Sequence, residues 1–132
     1  LVVLGHTQCG AVTAVTRTIQ GNGGQLERNI PSLLAPIFPA VRRAMAEHGE
    51  MHGEAVIPYA IEANVWQGIE DLFMKSPAVR ELVKKGAAKV VGAIYDVGTG
   101  LVQWLPPEKS EAILQRVEAS PDKATQAYAD LP

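Results

Sequence analysis

The sequence has 132 residues, 47% apolar and 20% charged, with a formal net charge of −2. That length fits one domain with a modest core, and disorder would need fewer apolar residues and more net charge. No Lys/Arg cluster interleaved with aromatics supplies a nucleic-acid footprint, and no apolar run nears the ~20 residues of a membrane-crossing helix.

Leu1-Val2-Val3-Leu4 is an uninterrupted apolar run ending at Gly5. This is the pattern of a strand buried on both faces, in a mostly parallel sheet with helices on either side. The run has no initiator Met and no polar lead-in, so either something upstream is expected to be lost or the other half of a domain to lie elsewhere. Val12, Val15 and Ile19 then recur at helical spacing. They predict a helix over 11–19, which its Thr and Val residues leave dependent on packing. Gly21-Asn22-Gly23-Gly24 breaks the chain.

From Leu26 to about Glu47 the apolar positions again suit a helix, interrupted at Pro31, Pro36 and Pro39. After Gly49 to Gly53, residues Ile57, Ile61, Val65, Ile69, Leu72 and Phe73 form one face of the longest helix, over 54–75, with Pro58 in its first turn. Ser76 can cap a further helix over 78–85, Pro77 suits its first position, and Gly86 sits where it should end. Lys89 to Asp96 reads as a second strand, Val97 to Gly100 as a turn, and Leu101 to Leu105 as a hairpin return. A last helix is predicted over 110–117, followed after Ser120 by a loosely held tail. The whole is α/β, a mostly parallel sheet of about three strands flanked by helices.

Cys9 is the single cysteine, so no intrachain disulfide is possible. The thiol is a small buried side chain, a ligand or a nucleophile. With His6 it forms an H-x-x-C pair between a strand and a helix. Imidazole and thiolate both bind zinc, at roughly 2.0–2.1 and 2.3 Å, and two intervening residues allow one tight turn to aim both at one ion. The helix start at Gly10 and Ala11 adds partial positive charge and unpaired N–H groups, which suit a thiolate. Gly5 and Gly10 permit close backbone approach and unusual torsions. The plain alternative is a hydrogen-bonded histidine at a strand end beside a small buried cysteine. Two ligands also fall short of the three, plus water, that hold a catalytic zinc.

His48 and His52 have the i, i+4 spacing of a helical zinc pair, but Gly49 and Gly53 interrupt the helix and predict a solvated loop. Tyr59 and Gln67 are expected to pack on helix faces rather than line a pocket. Trp66 and Trp104 are expected in the core or at an interface, and turn chemistry accounts for Asp96.

Leu4-Gly5-His6-Thr7-Gln8-Cys9-Gly10-Ala11-Val12 resembles the second metal motif of the beta-class carbonic anhydrases. Glu62-Ala63-Asn64-Val65 with Gln67, then Ser76-Pro77 and Arg80-Glu81-Leu82-Val83, resemble the family's long helix and its successor. Lys89 to Asp96, with Thr99-Gly100 and Val102, resembles its closing hairpin. The resemblance runs from Leu1 to about Leu105 in family order, leaving 106–132 as a C-terminal extension of a single partial domain.

It implies a beta-carbonic-anhydrase-like fold and a zinc lyase that interconverts carbon dioxide and bicarbonate. It further implies His6 and Cys9 as zinc ligands, Gly10 and Ala11 opening the supporting helix, and a homo-oligomer. The family's first motif, Cys-x-Asp-Ser-Arg, supplies another thiolate and an Asp-Arg pair, and it does not occur in this sequence. The remaining ligands are therefore expected from a segment or chain outside this one. Three alternatives stand beside this reading: an inactive truncated member kept for assembly or binding, a related carbon disulfide or carbonyl sulfide hydrolase, and a thiol enzyme with Cys9 as nucleophile and His6 as base. The N-terminus as given does not decide the compartment.

Overall fold

The computed structural model describes residues 1–126. Prolines set most of the helix starts. Helix α1 (Gly10–Ile19) opens without one, but α2 (Ile30–Leu34), the 3-10 turn Ala35–Ile37, α3 (Phe38–Glu47), α4 (Ile57–Lys75), α5 (Pro77–Lys84) and α6 (Pro107–Glu118) each carry Pro at the first or second position. There its missing N–H costs nothing and its fixed φ suits the helix. This is why the apolar pattern from Leu26 to Glu47 resolves into three pieces rather than one rod. It also explains why α6 begins three residues before its expected start.

Ser76 caps α5 by accepting from the Val79 N–H at 3.3 Å, and Gly86 leaves that helix with φ +70°. The long helix, expected from Glu54, starts at Ile57, and Gly53–Val56 form a 3-10 turn leading into it.

The strands are β1 (Val2–His6), β2 (Val91–Tyr95) and β3 (Val102–Trp104), in that spatial order. β1 and β2 are parallel, with Val3 opposite Gly92 and Gly5 opposite Ile94. β2 and β3 are antiparallel, with Ala93 opposite Trp104 and Tyr95 opposite Val102. The hairpin turn is built by Asp96, whose Oδ1 accepts from the N–H groups of Gly98 (2.8 Å) and Thr99 (3.1 Å), while Gly100 takes φ +76°.

Helix α4 lies across β1 and β2 and also meets α1, α3, α5 and α6, so it is the shared wall of the core. Around its first turns Val12, Val15, Val41, Ala44, Val56 and Ile61 cluster; around its later turns, Val65, Trp66, Ile69, Phe73, Val90, Leu105, Ile113 and Val117.

The burial expected on both faces of the first strand is found on one. Val3 and Gly5 face α4, whereas Val2 and Leu4 are exposed. An apolar run does not reveal which of its two alternating sets is covered, and here the helices cover one. The tail after Ser120 is also held more firmly than expected. The Ala124 N–H donates to Met74 O at 2.8 Å, and the buried Arg80 guanidinium donates to Ala124 O at 2.6 Å. Residues 127–132 of that tail lie outside the described residues.

Candidate metal centre

His6 ends β1 and Cys9 is the N-cap residue of α1, so the four residues from one to the other make the whole strand-to-helix connection. Thr7 fixes its near side. The Thr7 N–H donates to Tyr95 O at 2.9 Å, extending the β1–β2 ladder, and the Thr7 hydroxyl oxygen accepts from the Val97 N–H at 3.0 Å. Gln8 then reverses the chain with φ +56°, and among the described residues it is the one non-glycine with positive φ. Cys9 follows in extended conformation (φ −68°, ψ 113°), and its carbonyl oxygen accepts from the Thr13 N–H at 3.0 Å and the Thr13 hydroxyl at 2.8 Å. The turn is thus tied down on both sides of its one left-handed residue.

The His6 ring is exposed, and its Nδ1 donates to Thr7 O at 2.9 Å. A carbonyl only accepts, so Nδ1 carries the proton and the lone pair of neutral imidazole stays on Nε2, the arrangement that metal-ligating histidines use. Cys9 is half-buried and its side chain makes no capping hydrogen bond. No acidic residue in the first turn of α1 offsets the partial positive charge of the helix start. Gly10 and Ala11 do open α1. However, Gly10 has open space around its Cα and no positive φ, so the torsional freedom expected there is needed at Gln8 instead.

A donor set of one imidazole and one thiolate suits two corners of a tetrahedral zinc site. Among the described residues no group of three or more His, Cys, Asp or Glu gathers around a common point. The residues present therefore fit half of a zinc site.

Beside the turn lies a cleft of about 650 Å³. Ile57, Pro58, Ile61 and Ile94 form its apolar wall, Thr7, Gln8 and Thr13 its end at the turn carrying His6 and Cys9, and the Arg17–Glu54 ion pair its rim. Tyr59 also lines it, contrary to the packing role expected. Gln67 instead accepts from Arg43 and donates to Asp71. Trp66 is in the core at 5% exposure, but Trp104 is 64% exposed. His48 ends α3 and packs its ring on Tyr59 at 3.9 Å between centroids, while His52 is exposed in the following connection.

The family model described as Carbonic anhydrase matches residues 1–102. Among solved structures, the chain is similar to the beta-carbonic anhydrase CafA of Aspergillus fumigatus, with 29% identity and a TM-score of 0.66 over 88% of this chain and 54% of that one. It is also similar to tetrameric beta-carbonic anhydrases of Sordaria macrospora, with 26% identity and a TM-score of 0.62 over 79% of this chain and 50% of that one. The beta-carbonic anhydrase CcaA, 22% identical with a TM-score of 0.63, shares the fold over 80% of this chain and 50% of its own. No curated protein sequence matches. The chain spans about half the length of these solved relatives. Its sequence motifs, its strand-to-helix turn and these matches agree: the chain belongs to the carbonic anhydrase family, in its beta class.

Proposed function

We propose that this chain contributes His6 and Cys9 to a zinc centre that catalyses the reversible hydration of carbon dioxide to bicarbonate, the remaining ligands coming from outside the chain. The observation that carries this reading is the family match over residues 1–102, which includes a turn whose His6 Nε2 is left free to bind. Zinc, when bound, would supply Lewis acidity and make a water reactive near neutral pH. The chain's own residues do the rest. The Thr7 carbonyl holds the imidazole in the tautomer that presents Nε2, and Thr13 anchors the Cys9 backbone. The apolar wall of Ile57, Ile61 and Ile94, reached past Thr7 and Gln8, offers a small apolar molecule such as carbon dioxide a place beside the pair. An oligomer accords with this reading, since the Sordaria macrospora relatives are tetrameric.

Zinc content and intact mass of one purified sample, with a carbon dioxide hydration assay, test the proposal. Zinc together with additional polypeptide and activity supports it; metal-free, inactive chain overturns it. A second reading, an inactive member retained for assembly, draws on the same lack of a third ligand among the described residues. Zinc bound without turnover would favour that second reading.

A further inference from the structure

Helices α3 and α6 both pack on α4, and between the three lies a cleft of about 340 Å³. Its lining charges are Arg43 of α3 and Lys109 and Arg116 of α6, against Glu47 and Glu70. That is an excess of positive charge on a chain whose net charge is −2. None of these residues lines the cleft beside the turn carrying His6 and Cys9.

The Glu70 carboxylate shows how an oxyanion sits there. Its Oε2 lies 3.1 Å from Arg116 Nη2 and 3.8 Å from Arg43 Nη1, between guanidinium groups carried by two different helices. The third cation has no carboxylate partner among the described residues. The Lys109 ammonium instead rests over the Trp66 ring, 4.9 Å from its centroid. Trp66 is buried and its Nε1 donates to Glu62 Oε1 at 3.0 Å, so the ring beneath Lys109 is fixed. Three cations thus converge on a cleft where one carboxylate is paired with two of them. Glu70 keeps 24% of its side chain in contact with water, into which its carboxylate can turn.

A monocarboxylate from solution would offer the two arginines no more than Glu70 already does. A phosphoryl group carries about −1.5 to −2 charge near neutral pH and three acceptor oxygens, enough to engage both arginines and Lys109 together. Guanidinium groups match its geometry, and the apolar side chains of Ala63 and Ala112 strengthen the attraction by keeping water from one side of it. The volume falls at the low end of the roughly 300–1,000 Å³ of small-molecule sites, which leaves room for a small organic group beside the phosphoryl oxygens. We propose that this cleft binds a phosphate monoester through Arg43, Lys109 and Arg116, with Glu70 turning out to solvent as the ligand enters. The inference needs nothing of the zinc reading.

Isothermal titration calorimetry at fixed ionic strength tests it, with phenyl phosphate and inorganic phosphate as probes. It is run on the protein as purified and after dialysis free of metal. The expected result is saturable one-to-one binding in both preparations, tighter for phenyl phosphate. Equal affinity for the two probes would still support the site and assign it to free phosphate. Arg116→Gln and Lys109→Ala should each weaken binding about 10-fold or more, with the urea midpoint showing that both variants fold. Glu70→Gln should tighten it, because the competing carboxylate is gone. Glu111→Gln removes the same charge from α6 but lines a different cavity, and should leave binding unchanged. Absence of saturable binding would overturn the proposal, as would binding that disappears with the metal. So would an equal response to Glu70→Gln and Glu111→Gln, which would reduce the effect to net charge.

Discussion

The Cγ2 methyl of Val65 occupies the space that a side chain on Gly5 would need, since a Cβ built on Gly5 falls 2.6 Å from it. The Cγ1 methyl of the same valine lies 2.9 Å from the corresponding point on Gly92. Gly5 and Gly92 sit on neighbouring strands and face the same side, so together they form the groove into which α4 seats Val65. Gly68 on α4 lets Val3 approach from the other direction. The strand that ends in His6 is therefore positioned by helix-to-sheet contact through glycine.

Gly5→Ala should lower stability by roughly 1–3 kcal/mol, the usual result of forcing a methyl into a packed site. Val65→Ala should also destabilise, through a cavity, but the double variant should recover part of the Gly5→Ala loss because the clashing methyl is gone. Urea denaturation of the four proteins checks this. Simple additivity would show that Gly5 and Val65 are not coupled.

Gln8 stands in a backbone conformation that glycine adopts freely and other residues at a cost of about 1–2 kcal/mol. Gln8→Gly should keep the fold and raise its stability by up to ~1 kcal/mol. Gln8→Val, β-branched, should lower it by more than that. Thermal melts of both variants decide the matter, and a stabilising valine would contradict the left-handed turn.

If His6 and Cys9 share a metal, each single substitution should remove most of the affinity. His6→Ala or Cys9→Ser should weaken zinc binding by ~100-fold or more, since losing a direct ligand exceeds the 10–100-fold cost typical of losing a supporting contact. Cobalt(II) titration gives the check. The parent protein should show a sulfur-to-cobalt charge-transfer band that Cys9→Ser lacks and His6→Ala weakens. Identical spectra across the three would exclude the shared site.

Arg80 is 4% exposed, and its guanidinium donates to Phe73 O and Ala124 O while its Nε pairs with the Glu118 carboxylate at 3.3 Å. It joins the end of α4, helix α6 and the segment after Ser120. Arg80→Leu should cost about 2–4 kcal/mol, because two carbonyls lose a buried charged donor and the Glu118 carboxylate keeps only Lys84, at 3.3 Å. It should also speed amide exchange at Ala124, whose N–H bonds Met74 O. Unchanged protection at Ala124 would mean the segment is held without Arg80.

Much of the fold could be read from local chemistry, and the reason is visible at particular residues. Ser76, Pro77 and Gly86 bound α5 as expected because capping, fixed φ and left-handed freedom are properties of one or two residues. Asp96 makes its turn through bonds two and three residues away, and the α4 face recurs at helical spacing. Arg80 gave no such sign: an arginine is ordinarily solvent-facing, and here α6 and the segment after Ser120 cover it.

What the sequence determined by itself is the order of elements, the strand-to-helix turn carrying His6 and Cys9, and the family those motifs resemble, since each depends on residues close along the chain. The tertiary structure alone decided which face of Leu1-Val2-Val3-Leu4 is covered, because both alternating sets are apolar and periodicity cannot choose between them. It alone seated Val65 on Gly5 and Gly92, buried Arg80, left Trp104 in water and brought Tyr59 to the cleft beside Thr7. Each of these depends on contacts between residues far apart in sequence, and burial is set by what packs across from a side chain rather than by its neighbours along the chain.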